Sequence, residues 1–164
     1  MMTKFLTGAA VAALLALAPA TASAQQLYES VTGQQMNDIL TEMGLSGTLG
    51  TDNVGDPMIT GAIDGINYTL LFYSCNAAAP KQCLELQFHG EFSFNQPVTL
   101  EMINTYNTNN RFGQAFLDSA GRVNLDMSAT LEGGVTRQHI IEVIHWWQNA
   151  LTKFEGTLLN PTPQ

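Results

Sequence analysis

The sequence predicts an α+β fold, an antiparallel sheet packed by helices, in the order α-β-β-β-β-α-β-β-α. Three observations carry this. From Ser46 to Phe94, and again from Arg111 to Glu132, apolar and polar residues alternate in runs of strand length. Two other stretches place apolar residues on one helical face, and a third helix opens after Pro97. The dipeptide Asp64-Gly65 separates two strand-like runs, the mark of a tight antiparallel hairpin.

The first segment is set apart from the fold. Lys4 precedes an apolar run, FLTGAAVAALLALA from Phe5 to Ala18, and Ala22-Ser23-Ala24 precedes Gln25. Small residues at the first and third places of that tripeptide suit a signal peptidase, so residues 1–24 read as a signal peptide cleaved after Ala24. The run is about 14 residues long, short of the roughly 20 that span a bilayer. The rest reads as a single domain over 25–160 with a polar tail at 161–164 and no stable membrane insertion.

The elements follow in order. VTGQQMNDILTEMG groups Val31, Met36, Ile39, Leu40 and Met43 on one helical face, and Gly44 supplies the stop. LSGTLGTD reads as a strand closed by Gly55-Asp56-Pro57, and MITGAI leads through the Asp64-Gly65 turn to INYTLLFYSC. In CLELQFHGEFSF, Leu84, Leu86 and Phe88 take one face and Glu85, Gln87 and His89 the other, so one sheet face is covered and one is wet. VTLEMINTYNTNN is a helix with Thr99 as its N-cap. RFGQAFLD and RVNLDMSATLE are strands flanking Ser119-Ala120-Gly121. After Gly133-Gly134, Thr136 caps a last helix from about Arg137 to Phe154, whose Ile140, Val143, Ile144, Trp147, Leu151 and Phe154 must cover the sheet.

Without the leader, five basic residues (Lys81, Arg111, Arg122, Arg137, Lys153) face fourteen acidic ones, 5 − 14 = −9. A field of that sign disfavours nucleic acid and anionic lipid as partners. Cys75 and Cys83 are the two cysteines of the chain. In an exported domain they pair by default, closing the loop between adjacent strands. A redox pair would place two residues between its cysteines, and a structural zinc site needs about four ligands.

The ordered set GINYTLLFYSCN…CLELQFHGEF, VTLEMINTYNTNNRFGQAFLDSAGRVNLDMSATLEGGV and a tryptophan-bearing amphipathic helix resembles the YbjN domain family, described as bacterial sensory transduction regulators. The resemblance runs from about Asp56 to Leu158. It implies a fold similar to type III secretion chaperones, which work through protein contacts and often dimerise. It carries over no catalytic residues. Two departures stand out: Tyr106 occupies a place between two asparagines where the family more often has tryptophan, and the leader places this chain outside the cytoplasm.

Chemistry-bearing residues are sparse. His139 and His145 are six apart, off the spacing that aims two imidazoles at one metal, no HExxH pattern occurs, and they and His89 read as surface or partly packed histidines. Ser74, Ser93 and Ser119 lack a nucleophile elbow, and Glu85 and Glu91 read as solvated carboxylates. Asn67-Tyr68-Thr69 is a glycosylation sequon inside a strand, read as idle. Asn104 and Asn107 share a helix face beside Tyr106, and their amides bind either the loop around Arg111 or a ligand. Trp147 belongs to the core, while Trp146 at the helix flank is either an interface anchor or packed on its own domain.

These readings lead to an exported, non-enzymatic protein-binding or regulatory module, periplasmic or secreted and chaperone-like, with a protein or a second copy of itself as partner. No catalytic residue, metal or cofactor is expected. The alternative is a small-ligand carrier or sensor using a cleft between sheet and helix at Asn104, Tyr106, Asn107 and Arg111.

Overall fold

The computed structural model describes residues 26–45 and 47–159. The leader, its cleavage after Ala24 and the tail at 161–164 lie outside the described residues. The elements are β1 (Leu27–Tyr28), α1 (Gly33–Glu42), β2 (Gly47–Thr51), β3 (Pro57–Ile63), β4 (Ile66–Cys75), β5 (Cys83–Phe92), α2 (Leu100–Asn109), β6 (Gln114–Leu117), β7 (Val123–Thr130), β8 (Val135–Thr136) and α3 (Arg137–Leu159). The fold is α+β, and its succession is the expected one with two additions. β1 and β8 form a separate two-stranded ribbon, too short to leave a period in the sequence.

The main sheet has six antiparallel strands in the order β2-β3-β4-β5-β7-β6. β3 and β4 pair down to Ile63↔Ile66, leaving Asp64 (φ 52°) and Gly65 (φ 85°) as the two turn residues. Positive φ at both positions is what a two-residue hairpin of this twist requires.

Each helix has a chemical start. Thr32 accepts from the Gln35 N–H at 3.1 Å while the Gln35 side chain accepts from the Thr32 N–H at 2.8 Å, a reciprocal cap for α1. Thr99 Oγ1 accepts from Met102 N–H, and Thr136 Oγ1 from His139 N–H. Val31 corrects the expectation for α1. It precedes the helix and instead bridges Cys83, its N–H donating to the Cys83 carbonyl at 3.0 Å and its carbonyl accepting at 2.9 Å. Gly33 opens α1 because a Cβ there would lie 2.7 Å from Leu49 Cδ1 and 2.9 Å from Pro57 Cβ. Close approach of β2 and β3, not turn geometry, selects the glycine.

The three helices cover one sheet face. Tyr68, Leu70 and Phe72 of β4, Leu86 and Phe88 of β5, and Leu125 of β7 are buried against Met36 and Leu40 of α1, Tyr106 of α2, and Ile144, Trp147, Leu151 and Phe154 of α3. Trp147 stacks on Phe88 at 5.5 Å, and Phe154 meets Tyr106 and Phe92 edge-on at 4.7 and 4.8 Å. Full burial of each such side chain stabilises by ~1.5 to 3 kcal/mol. The opposite face, with Thr69, Gln87, His89 and Asp126, has none of the described helices over it and is partly open to solvent.

Candidate functional site

Asn107 Nδ2 donates to the Ala115 carbonyl at 3.0 Å, and its Oδ1 accepts the Ala115 N–H at 2.8 Å. Tyr106 is 1 % exposed, with its hydroxyl 3.5 Å from the Ala150 carbonyl, and burial pushes its pKa up to about 12. Asn104 is exposed, and Thr108 Oγ1 donates to its carbonyl. Arg111 lies on the loop beyond, exposed, with its guanidinium 5.3 Å above the Phe112 ring. The structure therefore does not gather the four at one cleft: Asn107 is occupied by β6, Tyr106 is core, and Asn104 and Arg111 face solvent.

Phe112 links this loop to α3. Its ring stacks on Trp146 at 4.8 Å and 8°, and His139 meets Trp146 edge-on at 6.1 Å. Trp146 is thus half-buried against its own domain, beside the ring that Arg111 also overlies. Cys75 and Cys83 are bonded across the ends of β4 and β5, where they are paired residues in the ladder.

The wet face carries a polar ladder across three strands. His89 Nδ1 lies 2.6 Å from Asp126 Oδ1, Gln87 Nε2 donates to Asp126 Oδ2 at 3.0 Å, and the Tyr73 hydroxyl donates to Gln87 Oε1 at 3.0 Å. The Asp126 hydrogen bond holds the His89 pKa above the ordinary histidine range. Partial burial and Arg122 oppose this, while the charges of Asp126 and Glu91 add to it. Sequence reasoning missed this ladder. The alternation put His89 on the wet face, but only the register His89↔Asp126 makes Asp126 its neighbour. Two shallow hollows flank it. One, of about 550 Å³, is bordered by Thr60, Gly61, Asn67, Thr69, His89 and Glu91. The other, of about 440 Å³, is bordered by Gln87, Arg111, Phe112, Gln114, Asp126 and Ser128.

The family model YbjN, "Putative bacterial sensory transduction regulator", matches residues 32–159. The chain belongs to the YbjN family. Among solved structures, the fold is similar to the crystal structure of YbjN, described as "a putative transcription regulator from E. coli", with a TM-score of 0.56 at 14 % identity over 80 % of this chain and 97 % of that one. No curated protein matches. The YbjN description is that of a regulator rather than an enzyme. Among the described residues no helix is long and apolar enough to cross a membrane.

Proposed function

We propose that this YbjN-family chain is an exported module, periplasmic or secreted after cleavage behind Ala24, that regulates by holding a polypeptide in a chaperone-like way, either a partner or a second copy of itself. One observation carries the reading: the two lateral edges of the sheet are treated differently. Asn107 fills the outward hydrogen-bonding positions of Ala115 in β6, whereas β2 ends the sheet with no strand beyond it among the described residues. Gly-Thr-Leu-Gly-Thr has no charge, no proline and four exposed residues. It thus lacks the charges and proline that discourage an edge strand from pairing with another chain, and strand addition is a recurrent mode of peptide recognition.

A second reading, a small-ligand carrier or sensor, draws on the hollow of about 550 Å³ beside His89. Native mass spectrometry of the full chain expressed with its leader separates the two. A dimer or a co-purifying polypeptide supports the first reading, and a monomer retaining a mass of a few hundred daltons supports the second. Denaturing the same sample reads the leader: a mass that still includes residues 1–24 rejects export with cleavage.

A further inference from the structure

β6 is four residues long and stops at the pair Gln114↔Asp126, while β7 runs on to Thr130. Beyond Asp126, β7 has a strand on one side only, with Ser128 opposite Gln87 and Thr130 opposite Glu85. An antiparallel ladder turns the backbone groups of successive residues to alternate sides. Leu131 N–H donates to the Leu84 carbonyl at 2.8 Å, so Leu131, Ala129 and Met127 face β5. Ser128 and Thr130 therefore present their N–H and C=O groups to the open side. The clamp of Asn107 on Ala115 gives the same phase independently, because it turns the Ala115 backbone away from β7.

This open stretch borders the hollow of about 440 Å³ that also contains Arg111 and Phe112. Lys81, Arg122 and Arg137 are each paired with carboxylates, whereas no described carboxylate pairs with Arg111. Asp126, the anion in the same hollow, is already held by His89 and Gln87. A strand added antiparallel to β7 runs in the direction of β6 and along its line. Its carboxyl-terminal end then points at Gln114, where β6 already fills that line, so an added segment must end beside the Arg111–Gln114 turn. A free chain end meets both the steric stop and the unpaired cation.

We propose that the notch beyond β6 receives the extended carboxyl-terminal segment of a partner polypeptide, which pairs with Ser128 and Thr130 and gives its terminal carboxylate to Arg111. The proposal rests on the polypeptide-binding reading above, adds a second strand-addition site at the sheet edge opposite β2, and names the chemistry of its partner. Capture of a chain-end carboxylate by a cation at the end of a strand-addition groove is chemically economical, since one charge-assisted hydrogen bond reports that the chain stops there.

The test uses an array of short synthetic peptides with randomised carboxyl-terminal residues, each made as the free acid and as the terminal amide, probed with the full disulfide-bonded chain. Free acids should be retained and the matching amides bound about tenfold more weakly. Arg111→Gln should bind acid and amide alike, and Arg111→Lys should keep part of the preference. No retention, equal retention of acid and amide, or a preference that survives Arg111→Gln overturns the proposal. A photoreactive phenylalanine analogue in place of Ser128 or of Thr48 on β2, in the full chain in a bacterial host, locates the contact. Crosslinks from Ser128 that map to the last residues of a partner support the notch. Crosslinks from Thr48 alone remove the notch and leave the polypeptide-binding reading standing, and crosslinks from neither position remove both.

Discussion

Asn107 and Ala115 exchange two hydrogen bonds, 3.0 and 2.8 Å long, as two residues of adjacent strands would. A carboxamide carries the same donor and acceptor as a peptide unit, so one side chain of α2 completes the edge of β6. Asn107→Ala leaves the N–H and C=O of Ala115, itself 2 % exposed, without partners, at a cost of ~1 to 3 kcal/mol. Asn107→Asp keeps the acceptor and places a carboxylate oxygen against the Ala115 carbonyl, so it should cost at least as much. Equilibrium urea unfolding checks both, and an unchanged midpoint for Asn107→Ala would reject the structural role.

The pair His89 and Asp126 makes stability depend on pH in a definite direction. The folded-state pKa of His89 is raised above 6.5, so its contribution is fully present below that value and is lost as pH rises through the folded pKa. The stability difference between the parent chain and Asp126→Asn should therefore be larger at pH 5.5 than at pH 8.5. NMR titration of the His89 ring should give a pKa above 6.5 in the parent chain that falls in Asp126→Asn.

Tyr68 carries a hydroxyl that is buried with no partner among the described residues, and burial also pushes its pKa up. Removing an unsatisfied buried hydroxyl while keeping the ring, as in Tyr68→Phe, should leave the chain as stable or up to ~1 kcal/mol more stable. A clear fall in melting temperature would mean that the hydroxyl has a partner, such as an internal water.

Reduction tests the bond between Cys75 and Cys83, which are eight apart in sequence. Loop-closure entropy for so short a ring predicts a loss of ~2 to 3 kcal/mol when it is opened. Urea midpoints with and without reductant, alongside the paired substitution of both cysteines by serine, should agree in size. If reduction leaves the midpoint unmoved, the chain-entropy account fails here.

Much of this architecture is written locally in the chain. Asp64-Gly65, the caps at Thr99 and Thr136, and the stop at Gly44 act within a few residues of themselves, and each does in the structure what its chemistry implies. The alternation in CLELQFHGEF likewise separated a covered face from a wet one, although Leu84 at the strand end stays partly exposed. What could not be read depends on register and on contacts distant in sequence. Val31 looked helical by spacing but is recruited by Cys83, fifty-two residues on. Phe112 finds Trp146, and His89 finds Asp126, only once β7 is laid between β5 and β6. For Asn107 the residue was visible and its partner was not, because a spare amide on a helix reads the same whether it holds a neighbouring backbone or waits for a ligand.

Trp146 and Trp147 are adjacent in sequence and live in different surroundings. Trp147 is sealed against Phe88 and Tyr68, whereas Trp146 lies face to face with Phe112 at 4.8 Å on the loop that carries Arg111. The chain thus contains two tryptophan fluorophores, one that senses melting of the interior and one that senses displacement of a surface loop. Single Trp→Phe versions separate their emission, so occupancy at the β7 notch and loss of the fold become distinguishable optical signals in one cuvette.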